Sequence, residues 1–142
     1  VQNAQVLDIC AGSGALAFEA LSRGAASVVM IEPDHTQAQF LTQNLELLQV
    51  TKARAQLKIA TAQQALTSLQ TQFDLVFLDP PYSLNLWEEL ALQADHLVKN
   101  NAYIYVEADR DLQLLKLPAS WRLIKNTKAG TVRAGLYQKS VS

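Results

Sequence analysis

The sequence predicts an α/β fold, in which a mostly parallel, seven-stranded sheet carries helices on both faces and an antiparallel strand at one edge. As far as Glu107, apolar runs of strand length alternate with longer segments of helical period. Alternation of this kind is typical of parallel strands joined by right-handed crossovers. After Pro118 the rhythm changes to two adjacent strands around a turn near Ala129-Gly130, which would close the sheet.

Seven stretches have the length and apolar content of strands. Helical segments separate the first five, and consecutive prolines stop the fourth because proline cannot donate to a strand ladder. The last two form the closing pair. The predicted strands are Gln5–Cys10, Ser27–Ile31, Leu57–Ala60, Phe73–Leu78, Ala102–Glu107, Trp121–Lys125 and Val132–Lys139.

Four segments have the spacing of helices that lie against a sheet. The second begins after Asp34, a residue type that favours the N-cap position. Its apolar residues recur at spacings of three and four, which predicts one buried stripe formed by Ala38, Leu41, Leu45 and Leu48. The predicted helices are Gly14–Arg23, Asp34 to about Leu48, Ala62–Leu69 and Leu86–Val98.

Composition indicates one globular domain, residues 1–142, of 49% hydrophobic and 18% charged residues. Cys10 is the single cysteine, so the sequence excludes an internal disulfide and a cysteine metal cluster and suits a reducing cytoplasm. No apolar run approaches the roughly 20 residues that span a bilayer, and we expect no membrane association. The net charge of −1 does not by itself indicate a nucleic-acid partner.

A glycine-rich turn, Asp8–Gly14, lies between the first strand and the first helix. Open parallel sheets bind ligands at this place, and Gly12 and Gly14 allow the backbone to turn tightly and approach a ligand. A dinucleotide site would have a third glycine where this chain has Ala17. Some such sites accept alanine, so the glycine pattern alone leaves three readings open: a dinucleotide site, another nucleoside site, or a turn that binds nothing.

An acidic residue, Glu32, closes the second strand. A carboxylate at this position can accept hydrogen bonds from both ribose hydroxyls of an adenosine ligand. NAD sites use the same arrangement, so Glu32 indicates adenosine without saying which cofactor carries it. Pro33 could pack against the adenine face, although proline is also ordinary at a helix start.

The tetrad Asp79-Pro80-Pro81-Tyr82 follows the fourth strand, which is predicted to lie beside the first and to open onto the same crevice. The prolines stiffen the turn and remove two backbone donors. Two acceptors, the Asp79 carboxylate and the Pro80 carbonyl, could hold the hydrogens of a planar exocyclic amine and favour a pyramidal nitrogen. The Tyr82 ring offers a face for base stacking.

Three stretches, AGSGALAFEALSRGA (Ala11–Ala25), VVMIEPD and FDLVFLDPPY, resemble the RsmD-type 16S ribosomal RNA guanine-N2 methyltransferases, a family of class I S-adenosylmethionine-dependent enzymes. The resemblance extends in order to KAGTVRAGLYQK. It implies a Rossmann-like fold, S-adenosylmethionine as cofactor and no metal. The residues it implies for the cofactor are Asp8, Ala11, Gly12, Ser13, Gly14, Glu32, Pro33, Thr61 and Ala62, and those for the guanine amine are Asp79, Pro80, Pro81 and Tyr82.

The chain departs from the family pattern in three ways. Cys10 stands where relatives commonly have an aromatic residue, and we assign it no chemistry. Thr61-Ala62-Gln63 lacks the aspartate that often binds the adenine amine, so a backbone group or the Gln63 amide would serve. Relatives also carry a partly basic N-terminal segment before the first strand, which we expect to contribute to RNA affinity.

The resemblance implies 16S rRNA as partner, within a small ribosomal subunit or an assembly intermediate, and a monomeric cytoplasmic enzyme. One alternative is N6-adenine methylation of DNA, which shares the tetrad but usually requires a recognition domain. A second is a core that binds S-adenosylmethionine without activity. A dehydrogenase is disfavoured, since no substrate domain with a catalytic histidine or lysine is evident.

Other notable residues receive simpler interpretations. His35 and His96 are predicted to lie at the surface, and Trp87 and Trp121 in the core. Whether Asn85 touches the target nucleotide is left open. The same is true of phosphate contacts from the basic residues near the C-terminus, which are Lys116, Arg122, Lys125, Lys128, Arg133 and Lys139.

Overall fold

A computed structural model, which describes residues 1–140, contains a single seven-stranded sheet. The strand order is β3-β2-β1-β4-β5-β7-β6, and of the described strands only β7 runs opposite to the others. The predicted antiparallel element therefore lies at this edge, with β7 inserted between β5 and β6. The strands are β1 (Gln5–Asp8), β2 (Ser27–Ile31), β3 (Ala55–Lys58), β4 (Phe73–Leu78), β5 (Val98–Ala108), β6 (Trp121–Ala129) and β7 (Val132–Lys139).

Within residues 1–140, four α-helices connect the successive strands from β1 to β5. They are α1 (Ala15–Ser22), α2 (His35–Leu47), α3 (Ala62–Ser68) and α4 (Trp87–Ala94). The predicted N-cap of α2 is confirmed, because the Asp34 side chain accepts a hydrogen bond from the Gln37 amide at 3.0 Å. Thr61 caps α3 in a reciprocal capping box with Gln64.

Each face of the sheet carries its own core. Within β1, Val6 packs with α1 and α2, whereas the next residue, Leu7, packs with α3 and α4. In β4 the same alternation sends Phe77 to the first core and Leu78 to the second. Successive side chains of a strand point to opposite faces, so the continuous apolar runs in the sequence reflect strands buried on both sides.

The predicted helix Leu86–Val98 is too long. The α-helix ends at Ala94, a 3-10 turn covers Asp95–Leu97, and β5 begins at Val98. Tertiary contacts hold this end, because the Asp95 carboxylate accepts from Trp121 Nε1 at 2.8 Å and pairs with Lys139 at 3.2 Å.

Smaller corrections apply to three other elements. The predicted third strand begins two residues late, since β3 starts at Ala55. The Leu48 side chain is 62% exposed, so the buried stripe of α2 ends before it. The predicted strand Trp121–Lys125 is too short, because pairing with β7 continues as far as Ala129 through residues that have no apolar pattern.

Parallel pairing aligns the carboxyl ends of the central strands. The register pairs Asp8 at the end of β1 with Met30 in β2 and Phe77 in β4. Chain order reverses between β1 and β4, and open α/β sheets bind ligands in the crevice at such a point. The loops that follow β1 and β4 therefore meet at this edge.

Gly14 provides a test of how tightly α1 packs at this crevice. Its φ is +83°, and a Cβ built there would lie 2.6 Å from the Leu41 and Phe18 side chains. Gly130 has a similar φ of +62° but open space around it. Gly14→Ala should therefore lower the free energy of unfolding by about 1–3 kcal/mol more than Gly130→Ala, the usual cost of overpacking. Urea denaturation of both variants measures the difference, and equal losses would contradict the packing shown by the structure.

Candidate functional site

A cleft of about 690 Å³ opens at the carboxyl ends of the central strands. Its volume lies within the range of small-molecule and cofactor sites. Loops from four strands contribute to its walls. The lining residues are Ile9, Cys10, Ala11, Gly12, Ser13, Ala15, Leu16, Glu32, Pro33, Thr61, Ala62, Gln63, Asp79, Pro80, Pro81, Tyr82, Leu84, Leu86 and Glu107.

The glycine loop is held to the sheet by backbone hydrogen bonds. The Ala11 amide donates to the Ile31 carbonyl at 3.0 Å, and the Gly14 amide donates to the Ala11 carbonyl at 2.8 Å. Gly12 has a φ of +55°, and a Cβ built on it would meet no atom within 4 Å. The backbone at Gly12 therefore faces open space, where a ligand can approach it closely.

The Glu32 carboxylate ties the first two loops together. One oxygen accepts from the Gly12 amide at 2.9 Å, and the other accepts from the Asp34 amide at 3.0 Å. Although the residue is 8% exposed, it lines the cleft. Each carboxylate oxygen has a second lone pair, so the group can also accept hydrogen bonds from a pair of ligand hydroxyls.

Asp8 is a buried carboxyl group with no hydrogen-bond partner for either oxygen. Burial raises its pKa to about 7; the nearby Cys10 amide opposes this rise and the charge on Glu32 adds to it. An unpaired buried polar group is costly. Asp8 is thus a group whose environment improves when a cation or a hydrogen-bond donor approaches.

The loop after β3 forms the next wall. Thr61, Ala62 and Gln63 all line the cleft. The Thr61 hydroxyl already accepts from the Gln64 amide at 3.2 Å within the capping box. Because the capping bond already uses this hydroxyl, a ligand would more readily contact the backbone of this loop or the Gln63 side-chain amide.

Asp79 and Glu107 bring two carboxyl groups together on the far wall. Leu78 pairs with Val106, so the next residues along β4 and β5 stand side by side. Burial raises the pKa of Asp79 to about 7. The hydrogen bond that protonated Asp79 can donate to Glu107 adds to the rise, as do the negative charges of Glu107 and Asp8. Near neutral pH Asp79 is therefore able to release or to take up a proton.

Tyr82 lies in a 3-10 turn, Tyr82–Leu84, directly after the prolines. Its ring packs on Trp87 with centroids 5.7 Å apart, and its hydroxyl donates to Glu107 at 3.4 Å. Burial and the charge of Glu107 raise the pKa of Tyr82 to about 12. The hydroxyl therefore stays protonated, and the half-buried ring is held in place at the edge of the cleft.

Arg110 fastens this turn to the end of β5. Its guanidinium lies 4.5 Å from the centroid of the Trp87 ring and donates to Asn85 Oδ1 at 2.7 Å. The Trp87 indole in turn donates to the Glu107 carbonyl at 2.8 Å. Asn85 is therefore engaged in a contact within the protein, and Trp87 is in the core as predicted, with an exposure of 0%.

The ionisable side chains around the cleft are acidic. Glu32, Asp79 and Glu107 line it and Asp8 lies behind it, whereas no lysine, arginine or histidine is among the described lining residues. Charges of one sign in a low-dielectric cleft attract a ligand of the opposite sign. The cleft therefore suits a ligand with positive charge.

The structure brings together most of the residues predicted for this site. All four residues of the tetrad line the cleft, together with Ala11, Gly12, Ser13, Glu32, Pro33, Thr61 and Ala62. Asp8 and Gly14 are not among the lining residues, and Gly14 instead packs under Phe18 and Leu41. Direct contact of Asp8 with a cofactor stays a prediction.

Sequence reasoning missed Glu107. The one signal that could have found it is its position: a carboxylate at the end of the strand predicted after Asp79. Cys10 lines the cleft, and burial, with the charge of Asp8, raises its thiol pKa to about 12. That value agrees with the absence of any assigned chemistry. His35 and His96 are exposed and Trp121 is buried, as predicted.

Metal-ligating clusters and membrane-spanning helices are both absent from residues 1–140. No group of three or more histidine, cysteine, aspartate or glutamate side chains in this range is arranged to hold a metal ion. Every helix in the same range is too short or too polar to cross a bilayer.

Known proteins share this sequence and fold. The sequence model of the family described as conserved hypothetical protein 95 matches residues 1–138. The ribosomal RNA small subunit methyltransferase D of Haemophilus influenzae is 40% identical over 142 residues, which cover 97% of this chain and 73% of that protein. A solved structure from Escherichia coli, 37% identical, superposes with a TM-score of 0.92 over 99% of this chain and 78% of that chain. The ribosomal protein L11 methylase of Lactobacillus delbrueckii, 22% identical, shares the fold with a TM-score of 0.82, over 99% of this chain and 72% of that chain.

The raised pKa of Asp8 predicts how the stability of the ligand-free protein depends on pH. The folded protein holds this proton up to about pH 7, whereas an ordinary aspartate loses it near 3.8. The resulting contribution to stability is complete below pH 3.8 and is lost as the pH rises through 7. Asp8→Asn should therefore flatten the decline in the free energy of unfolding between about pH 4 and 7.

Chemical denaturation at a series of pH values measures this effect. Glu46→Gln is the control, because Glu46 is exposed, lies outside the cleft lining and forms no ion pair within residues 1–140. It should leave the pH slope unchanged. A wild-type slope in the Asp8→Asn variant would show that Asp8 ionises in the folded protein at its ordinary pKa.

Proposed function

The chain belongs to the conserved hypothetical protein 95 family, the family of the small-subunit rRNA methyltransferase D proteins, and from this we propose that it methylates the exocyclic N2 amine of a guanine in 16S rRNA with S-adenosylmethionine. The observation that carries the proposal is that the Asp79–Tyr82 tetrad and the glycine loop line one cleft. The fold is the Rossmann-like fold of class I S-adenosylmethionine-dependent methyltransferases, which confirms the fold expected from the sequence.

The cleft has the chemistry that the methyl donor requires. Glu32 has free lone pairs for the two ribose hydroxyls, Gly12 leaves space for a close approach, and the acidic lining complements a sulfonium and an ammonium group. When bound, S-adenosylmethionine would supply the methyl group as an electrophile on positively charged sulfur. The buried carboxyl group of Asp8 would then lie near a positive charge, which offsets part of the cost of its burial.

The far wall has the groups needed to activate an amine. The lone pair of the guanine N2 amine is conjugated into the ring, so the nitrogen becomes nucleophilic only as it pyramidalises. The Asp79 carboxylate and the Pro80 carbonyl can accept its two hydrogens, and acceptors aimed at developing positive charge contribute most in the transition state. In this proposal Asp79, beside Glu107, can also take the proton that the nitrogen loses after transfer.

Positioning accounts for much of the rate in this proposal. Trp87 and Glu107 hold Tyr82 at the cleft edge, where its ring can stack on the base for about 1–3 kcal/mol. A correctly held nucleophile and electrophile can recover about 7–11 kcal/mol of the barrier. The network of Arg110, Trp87 and Asn85 keeps the turn that bears Tyr82 against β5.

Basic residues near the cleft offer contacts for the RNA backbone. The β6–β7 hairpin places Lys128 and Arg133 in register with Ala108, at the cleft end of β5. Lys125 and Lys128 are exposed on the outer strand, and no carboxylate within residues 1–140 forms an ion pair with either. These lysines could contact RNA phosphates. The partner that we propose is rRNA, in a small subunit or an assembly intermediate in the cytoplasm, with the enzyme acting as a monomer.

The proposal is tested by transfer of a tritiated methyl group from S-adenosylmethionine to 16S rRNA, to small subunits that lack the mark, and to DNA. Nucleoside analysis of the labelled product should find N2-methylguanosine from rRNA or from the subunits. N6-methyladenine in DNA would support the alternative enzyme and overturn this one. Binding of S-adenosylhomocysteine without transfer to any substrate would leave only a cofactor-binding core.

Asp79 should matter for turnover more than for cofactor binding. Asp79→Ala removes an acceptor that acts as the amine pyramidalises, so kcat should fall by about 100-fold or more while S-adenosylhomocysteine affinity changes little. In the wild type kcat/KM for S-adenosylmethionine, which reports ionisations of the free enzyme, should rise with pH through about 7, as the Asp79 carboxyl ionises. Asp79→Asn should abolish that rise, and it should retain partial activity if hydrogen bonding is the main role.

Single-turnover kinetics across a pH series, with calorimetry of cofactor binding, make these measurements. Wild-type turnover by Asp79→Ala would show that the tetrad is only a rigid turn. Near-equal loss in the Asn and Ala variants would assign Asp79 to proton removal.

The hairpin lysines should determine the salt dependence of RNA binding. Removing one lysine–phosphate pair should reduce the slope of log affinity against log salt by roughly 0.7–0.9. Lys125→Ala with Lys128→Ala should therefore lower both the affinity and the slope for rRNA. Lys52→Ala is the control, since Lys52 lies in the loop before β3 at the opposite edge of the sheet. Unchanged slopes in the double variant would exclude the hairpin from the RNA interface.

A further inference from the structure

Glu107 is a carboxylate in the cleft whose role the proposed reaction does not explain. It is the last residue but one of β5, beside Asp79, and it lines the cleft as Asp79 does. Its two oxygens accept from the Tyr82 and Tyr105 hydroxyls, each at 3.4 Å, the outer limit of hydrogen-bond length. No lysine or arginine within residues 1–140 pairs with it. The protein thus places a second acceptor beside Asp79 and compensates it only weakly.

Two adjacent acceptors match two adjacent donors. A carboxylate accepts hydrogen bonds through about four lone-pair sites and, when ionised, donates none. Guanine presents its N2 amine next to an N1–H group, so its edge carries two neighbouring donors. Adenine presents its N6 amine next to an unprotonated N1. That nitrogen is a hydrogen-bond acceptor, so it would repel a carboxylate oxygen placed opposite it. A pair of carboxylates at this wall therefore distinguishes the two bases at the position beside the amine.

We propose that Glu107 accepts the N1–H of the target base beside Asp79 and so selects guanine over adenine. This inference rests on the proposed methylation of a base amine at the tetrad, and it adds the group that reads the base. The Tyr105 and Tyr82 hydroxyls orient the carboxylate from the two sides. One hydrogen bond thus joins Tyr82, which would stack on the base, to Glu107, which would accept its N1–H. The position of the base plane and the recognition of the base edge are therefore linked.

The selectivity follows from the cost of an unmatched buried group. A site built to bond a donor rejects the analogue that lacks it, because its own acceptor is left unpaired. Glutamine at this position could turn its amide and offer either an acceptor or a donor. The Glu107→Gln variant should therefore bind either the N1–H of guanine or the unprotonated N1 of adenine. Asp79, which holds the amine present in both bases, would be unchanged.

The experiment uses a base that keeps the amine and lacks the N1 proton. In 2-aminopurine the amine is at C2, as in guanine, but N1 carries no hydrogen. Nucleoside analysis of rRNA methylated by the wild type first locates the target guanine. A ligated rRNA with 2-aminopurine at that position is then compared with the guanine RNA in single-turnover methylation. The wild type should prefer guanine by about tenfold or more, the discrimination typical of a good base-edge contact.

The variants separate this role from a structural one. Glu107→Gln should reduce the guanine preference to about threefold or less. Glu46→Gln, which makes the same change at an exposed carboxylate outside the cleft lining, should keep it. 2-Aminopurine also lacks the O6 atom of guanine, but this loss affects the wild type and the variant alike. A difference between their guanine-to-2-aminopurine rate ratios therefore measures the contribution of Glu107. If Glu107→Gln turns over too slowly, the same ratio is taken from equilibrium binding of the two RNAs with S-adenosylhomocysteine present.

Different outcomes would contradict the role of Glu107 and the proposed N2-methylation of guanine. Equal rates on guanine and 2-aminopurine in the wild type, or a wild-type ratio in Glu107→Gln, would overturn the role of Glu107. Absence of N2-methylguanosine from the wild-type product would instead overturn the proposed function.

Discussion

The parallel pairing of β1 with β4 is the constraint on which the site depends. These two strands are distant in sequence, and their register places Asp8 opposite Phe77, two residues before Asp79. The glycine loop that follows β1 and the proline turn that follows β4 consequently open into one cleft. Neither loop could assemble the site alone, because the first offers contacts for a nucleoside and the second offers acceptors for an amine.

The same pairing concentrates negative charge. Carboxyl groups end or follow β1, β2, β4 and β5, and burial raises the pKa of two of them, Asp8 and Asp79, to about 7. Such carboxyl groups reduce the stability of the ligand-free protein at neutral pH. This cost is understandable if a cationic ligand occupies the cleft, since a positive charge would lower these pKa values and recover stability on binding. Stability and function therefore oppose one another at this edge of the sheet.

The sequence predicted the central fold well because local and tertiary preferences agree there. Strands buried on both faces are continuous apolar runs, and Asp34 has the N-cap chemistry of the helix that it begins. Prediction was less accurate where distant contacts decide the structure. The end of α4 depends on contacts of Asp95 with Trp121 and Lys139, which no local pattern reveals. The extension of β6 follows from its pairing with β7, since its own residues are mostly exposed and polar.

The candidate site divides in the same way. The tetrad and the glycine loop are contiguous motifs, so their residues could be named from the sequence, whereas Glu107 acquires meaning only when β5 lies in register beside β4. Glu107 also shows how the fold links separate tasks. Its carbonyl accepts from the Trp87 indole, and its carboxylate accepts from Tyr82, so one residue supports both the aromatic wall and the acidic pair. A change in the Glu107 side chain alone leaves the backbone contact to Trp87 intact. Replacement by glutamine would also keep an acceptor for the Tyr82 hydroxyl, and the Tyr82 ring would still pack on Trp87, so base selectivity can change while the platform on which the base stacks is retained.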